Sequence, residues 1–299
     1  MQGKLSALLI LLAAVLWGTT GTTQAFAPES AHPIAIGTIR LAIGGLFLLS
    51  LVFLFGKLEL KNWPKKATIL AALSMALYQP LFFSAVTITG VAIGTVAAIG
   101  SAPILSGLLE WIFFKSRPSK IWWCSTVLSI SGCILLFVNR EAAYVDPVGV
   151  IMSLGAGLSF AIYTLASRDM VQKFPSLNVV AVIFTLSAIF LAPFLFIFDI
   201  SWVKSLQGIG VSIQLGVIAT GIAYFLFAKG LTKVSSSTAV TLALAEPLTA
   251  ALLGVLLLGE SLNTTAWLGI SLLIIGIVLL IGSSNAMNRK NKSTTMTSA

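Results

Sequence analysis

The chain has 299 residues, 58% of them hydrophobic and 9% charged, with a net charge of +9 and a mean hydropathy of +1.03. An average soluble domain carries about 25% charged residues, so a water-soluble fold is excluded. The positive charge does not point to nucleic acid, because the basic residues fall in short loops between apolar stretches, where they act as topological signals and meet anionic lipid.

Taken in chain order, the apolar stretches are 5–25, 33–55, 67–88, 91–114, 120–138, 148–166, 177–198, 206–228, 234–258 and 264–282. Each has about the 17 to 25 residues needed to cross roughly 30 Å of hydrocarbon. They are too long and too evenly apolar for barrel strands, and backbone amides in lipid must bond within their own segment, so ten transmembrane helices are expected. The first stretch has the form of a secretory signal, with Lys4 ahead of the run from Leu5 to Trp17 and small residues near Ala25. Removing it would leave the sixth helix, around Phe160 and Ala161, without a counterpart, so it is read as the first span.

Helix 1 carries Trp17, Gly18, Thr19, Thr20, Gly21, Thr22 and Thr23. His32, the single histidine, precedes Pro33 in a loop and reads as a cap. Arg40 lies seven residues into helix 2, about 10 Å deep at 1.5 Å per residue. Helix 3 holds Tyr78, Gln79 and Pro80; helix 4 holds Pro103 and, near its end, Glu110, which could snorkel or pair with Lys115 or Arg117. Cys124 and Cys133 are nine residues apart on helix 5, point in different directions and form no disulfide or metal set. Helix 6 adds Tyr163 and Thr164, helix 7 Pro193, helix 8 Thr220, Gly221 and Tyr224, and helix 9 Glu246 and Pro247. Trp63, Trp111, Trp122, Trp123, Trp202 and Trp267 lie near helix ends and read as interfacial anchors. Residues 284–299 are polar and basic, the composition of a disordered tail.

A shift of 144 residues places Pro103, Trp123 and Gly132 on Pro247, Trp267 and Gly276 without a gap. Residues 5–138 and 148–283 are therefore two copies of a five-helix unit. An odd number of crossings inverts the second copy in the bilayer, the architecture of secondary transporters with a site at the midplane. With the amino terminus in the cytoplasm, fifteen of the eighteen Lys and Arg residues lie inside; Arg140 and Lys204 lie outside and Arg40 within a helix. Both termini are then cytoplasmic.

Nucleotide-driven and enzymatic chemistry find no support. Gly56-Lys57 is followed by Leu58 and lacks the upstream glycine of a phosphate-binding loop; one histidine cannot make an H-E-x-x-H site; no G-x-S-x-G elbow occurs. The chain reads as a non-enzyme without cofactor or metal, driven by an ion gradient, by exchange or by its solute.

Leu16-Trp17-Gly18, His32-Pro33 through Arg40-Leu41, and above all Leu244-Ala245-Glu246-Pro247-Leu248 through Leu258-Gly259-Glu260, with Trp267-Leu268-Gly269 and Gly276, resemble the EamA-type permeases of the drug/metabolite transporter superfamily. The resemblance covers the whole membrane region as two repeats. It implies export of small metabolites, amino acids, amines or toxic compounds, usually without ATP. In the first repeat the matching motif is eroded: Ala102 stands opposite Glu246, and Lys115 and Ser116 stand opposite Gly259 and Glu260. Any role of the acidic pair rests on the second repeat.

A charge at bilayer depth costs about 2.5 to 3.5 kcal/mol on insertion scales and faces protein or water. Arg40 and Glu246 are thus candidates for solute recognition or proton coupling, the alternative being a structural ion pair between the repeats. Trp17, Thr20, Tyr78, Gln79, Tyr163 and Tyr224 complete the expected wall of a central cavity suited to an amphipathic solute. Small and hydroxylated residues there also serve interhelical packing. Pro103 and Pro247, as repeat mates, are the expected flexing elements. The expected partners are a small-molecule solute and membrane lipid, in a cell-membrane setting, with a homodimer compatible. An importer, a lipid-linked sugar flippase or a non-transporting scaffold are the other readings.

Overall fold

The computed structural model describes residues 2–56, 58, 61–137, 146–259 and 261–297. Lys57, Arg140 and Glu260 lie outside the described residues. Among the described residues ten membrane-length helices follow in order: α1 (Gln2–Ala25), α2 (Pro33–Phe55), α3 (Lys65–Thr89), α4 (Val91–Phe114), α5 (Lys120–Phe137), α6 (Pro147–Val171), α7 (Ser176–Phe196), α8 (Leu206–Leu231), α9 (Ser236–Leu257) and α10 (Thr264–Thr297). Within α10 the apolar span is Thr264–Gly282. We call the face on which α1 begins the near face and the opposite one the far face.

Helix starts follow from capping chemistry. The first amides of a helix lack intrahelical acceptors, and polar side chains supply them. His32 Nδ1 accepts from Ile34 N–H ahead of Pro33, and Asp146 Oδ1 accepts from Val148 N–H at 2.8 Å ahead of Pro147. Ser119, Ser205, Ser235 and Asn263 do the same for α5, α8, α9 and α10. His32 also stacks on Phe198 at 3.9 Å, which ties the start of α2 to the loop after α7.

Two helices depart from regular geometry, both in the second repeat. α8 is α-helical over Leu206–Ile213, π-helical over Gln214–Ile222 and α-helical again over Ala223–Leu231. α9 breaks between Ser236–Leu242 and Ala245–Leu258, with i→i+3 bonds from Leu244 N–H to Thr241 O and from Glu246 N–H to Ala243 O. Pro247 sits in the first turn after this break, where its missing N–H costs nothing. Pro103 and Pro80, by contrast, lie inside continuous helices, and Pro193 is second in the 3-10 turn Ala192–Phe196 that ends α7. The matched prolines therefore sit in different backbone settings.

The inversion of the repeats is visible in how α5 meets α10. A Cβ on Gly132 would lie 2.5 Å from Gly269 O, and one on Gly276 would lie 2.8 Å from Ser125 O and against Ser129 Oγ. The same shift of 144 residues that carries Gly132 to Gly276 carries Ser125 to Gly269. Exchanging the repeats thus turns one contact into the other, as a two-fold relation between antiparallel copies requires. Side chains larger than hydrogen are excluded there, so the glycines set the interhelical distance.

The core corrects one expectation. Trp122 and Trp202 are buried rather than interfacial: Trp122 packs over Gly107, and Trp202 belongs to the cluster around Ile36, Ile39 and Leu215. Trp111, Trp123 and Trp267 are exposed, and Trp63 donates from Nε1 to Thr68 Oγ1 at 2.7 Å.

Candidate functional site

A cavity of about 390 Å³ lies between the repeats. Its walls are the far halves of α1 and α3, most of α9, the end of α5, the first half of α4, Gly157 and Phe160 of α6, and single positions of α2 and α8. Trp17, Thr20, Arg40, Tyr78, Gln79, Tyr224, Glu246 and Pro247 all line it. Tyr163 and Pro103 do not. Tyr163 is fully buried behind the wall, with its ring 5.7 Å from that of Tyr224 and 5.9 Å from that of Phe184, so it braces Tyr224 rather than meeting the cavity.

Arg40 is fixed by the π-helix of α8. Its Nε donates to Thr220 Oγ1 at 3.0 Å and its Nη2 to Ala219 O at 3.4 Å. Ala219 lies in the π-helical segment Gln214–Ile222, and its carbonyl, with two lone pairs, accepts from a side chain of another helix. With two of its three nitrogens engaged, the guanidinium is held in one orientation at the cavity wall.

Glu246 lies in the first turn of the second half of α9. The break in α9 puts a helix amino terminus, with its partial positive charge, next to the carboxylate. Close packing fixes the turn, because a Cβ on Gly18 would lie 2.8 Å from Glu246 O and 2.5 Å from Thr249 Cβ. Among the described residues no ion pair joins Arg40 to Glu246; the ion pairs there are Glu110 with Arg168 and Asp169 with Lys173. The alternative of an ion pair between Arg40 and Glu246 is thus not met among the described residues. Both side chains line the cavity, and Arg40 directs Nε and Nη2 to α8.

The rest of the wall divides into rings and orphaned polar atoms. Trp17 packs against Tyr224 at 4.7 Å, Phe227 at 5.1 Å and, edge on, Phe160 at 5.8 Å, which closes the near side of the cavity with aromatic surface. Trp17 Nε1, Gln79 Oε1 and Gln24 Nε2 are buried without a hydrogen-bond partner. Such atoms cost about 1 to 3 kcal/mol each when left unpaired in a dry interior, so a donor, two acceptors or water belongs beside them. Sequence reading missed Gln24, Phe160 and the alanines at 98, 102, 243, 250 and 251. Small apolar residues carry no signal of their own; only the cavity gives them meaning.

Glu110 finds neither of its expected partners. It is 3% exposed, accepts from Arg168 Nη1 at Oε1 and from Ser237 N–H at Oε2, each at 2.9 Å, and so joins α4 to α6 and α9.

Comparison with known proteins agrees with this architecture. The EamA-like transporter family matches residues 4–138 and 147–282, the two five-helix units. The chain is 52% identical over 293 residues to the uncharacterized transporter YwfM of Bacillus subtilis (strain 168), covering 98% of each chain. It is 26% identical over 291 residues to the threonine/homoserine exporter RhtA of Escherichia coli (strain K12), covering 95% of this chain and 92% of that one. A crystal structure of a protein 18% identical superposes with a TM-score of 0.82 over 94% of this chain and 98% of that chain, a likeness of fold.

Proposed function

We propose, for a chain that belongs to the EamA-like transporter family and is a multi-pass membrane transporter, that it exports small amphipathic metabolites carrying a carboxylate, an amine or both. Arg40 and Glu246 face one cavity without pairing, and this single observation carries the reading. A fixed guanidinium suits a carboxylate. Glu246 suits an ammonium group, and the rings of Trp17, Phe160 and Tyr224 suit an apolar or cationic remainder. A cavity of about 390 Å³ fits a solute of amino-acid size. The name of the relative RhtA, a threonine/homoserine exporter, supports amino acids as the first class to try.

Transport follows from the symmetry. Two inverted units around one cavity exchange roles when one end opens and the other closes, and a solute moves without any chemical step, so the protein works as a non-enzyme. We place the near face in the cytoplasm, because Lys4, Lys61, Lys65, Lys66, Lys115, Arg117, Lys120, Lys173, Lys229 and Lys233 gather there. The setting is the cell membrane, with lipid around the bundle and no nucleic-acid partner.

A thermal-shift screen of amino acids, amines and their derivatives tests the solute class, since a ligand of the native state raises the melting temperature by mass action. Amino acids are expected to stabilise the protein, and their amides and N-acetyl forms to do so less. Equal shifts for all three, or none, would overturn the assignment of Arg40 and Glu246 to the two ends of the solute.

A further inference from the structure

We infer that Glu110, Arg168 and Ser237 form a latch that closes the solute path at the near face, and that the seam between this latch and the cavity is the occluded half of that path. The inference rests on the transport reading of the cavity but on no particular solute.

The latch lies in line with the cavity. On α4, Ala102 lines the cavity and Glu110 follows eight residues later; on α6, Phe160 lines it and Arg168 follows eight residues later. At 1.5 Å per residue the latch is about 12 Å beyond Ala102 and Phe160, and on α9 its Ser237 lies three residues before Val240, which lines the cavity. Positions i, i+4 and i+8 share one helix face, so Ser106 lies between Ala102 and Glu110 on α4, and Thr164 lies between Phe160 and Arg168 on α6. Both are fully buried.

The seam is polar without being satisfied. The hydroxyls of Ser106 and Ser236, and Nε of Arg168, are buried with no hydrogen-bond partner. Groups left unpaired in one state are accounted for if a second state wets them.

The repeat relation explains why this end has a latch and the other is open. A shift of 144 residues carries Glu110 to Gly254 and Arg168 back to Gln24. Both mates line the open cavity at its far side, and the Gln24 amide nitrogen has no partner there. The equivalents of a charged pair that shuts one end are a glycine and an amide that leave the other end unfastened. The latch therefore biases the transporter toward the far-open state, and a solute loaded from the near face must break it.

Cysteine accessibility in sealed vesicles tests this on the full chain, with Cys124→Ser and Cys133→Ser as background and a charged, membrane-impermeant maleimide added to one face at a time. Reporters are Ser106→Cys in the seam and Gln24→Cys at the far mouth. Arg168→Gln and Glu110→Gln are each expected to raise near-face labelling at the seam tenfold or more while lowering far-face labelling at the mouth. Arg168→Lys, which keeps the charge, is expected to stay close to the parent. Unchanged labelling at both reporters would overturn the latch. A rise at both would overturn it too, because general loosening opens both ends. No solute is present in these measurements, so their outcome is separate from that of the ligand screen.

Discussion

Glu246 and Ala102 occupy equivalent positions in the two repeats, 144 residues apart, and both line the same cavity, one from α9 and the other from α4. The site is thus two-fold in sequence position and one-sided in charge, with α9 broken where α4 is continuous. An alanine where symmetry would put a second carboxylate leaves a single acidic group for the solute, and it removes the like-charge repulsion that two carboxylates in one cavity would bring.

This asymmetry sets the behaviour of Glu246→Gln. Among the described residues no counter-ion lies within ion-pair distance of Glu246, so the melting temperature in detergent is expected to hold or rise by a few degrees. Flux of amine-bearing solutes in proteoliposomes is expected to fall at least tenfold, and its dependence on a pH gradient to disappear. Full retention of pH-driven flux would remove Glu246 from coupling.

Arg40 is predicted to depend on Thr220. Thr220→Val keeps the volume but removes the acceptor that holds Nε at 3.0 Å, a bond to a charged group worth about 1.5 to 3 kcal/mol. A fall in melting temperature and a weaker ligand-induced shift for carboxylate solutes are expected together, with Thr220→Ser restoring both. Loss of stability with an intact ligand shift would make the contact purely structural.

Lys115 and Gly259 are also repeat mates, and both end their helices in the left-handed region, at φ values of 53 and 69°. That conformation costs an L-residue about 1 to 2 kcal/mol, and glycine escapes it. Lys115→Gly is expected to raise the melting temperature by an amount corresponding to roughly 0.5 to 1 kcal/mol, once the greater freedom of glycine in the unfolded chain is counted. A decrease would mean that the lysine side chain contributes more than the backbone loses.

The α5–α10 contact gives the opposite sign. Gly132→Val and Gly276→Val each force a side chain into a neighbouring backbone carbonyl or hydroxyl. A loss of several kcal/mol is expected, read as reduced yield of monodisperse protein and a lower melting temperature. Tolerance of both would show that the two helices separate freely, against their role as a fixed seam between repeats.

How far the sequence led can be seen residue by residue. Arg40, Glu246, Gln79 and Trp17 were legible because charge and large polar groups are costly in hydrocarbon and so announce themselves in an apolar run. The inverted repeat was legible because matched Pro, Trp and Gly survive in register. Tyr163 was placed one layer too close to the cavity, since a tyrosine at helix centre looks the same whether its ring braces a wall or forms it. Glu110 was given sequence neighbours as partners, yet it bonds to Arg168 and Ser237, 58 and 127 positions away. No local pattern encodes such a distance.

By itself, the sequence determined the number of spans, their inversion and the rarity of charge within them, because each follows from the free energy of putting apolar or charged groups into a bilayer. Tertiary structure alone decided that Arg40 directs its donors to the π-helix of α8, that Glu246 makes no ion pair among the described residues, and that Arg168 pairs with Glu110. Those outcomes depend on which helix faces meet at which height, a matter of packing between segments far apart in the chain, and hydropathy carries no record of it.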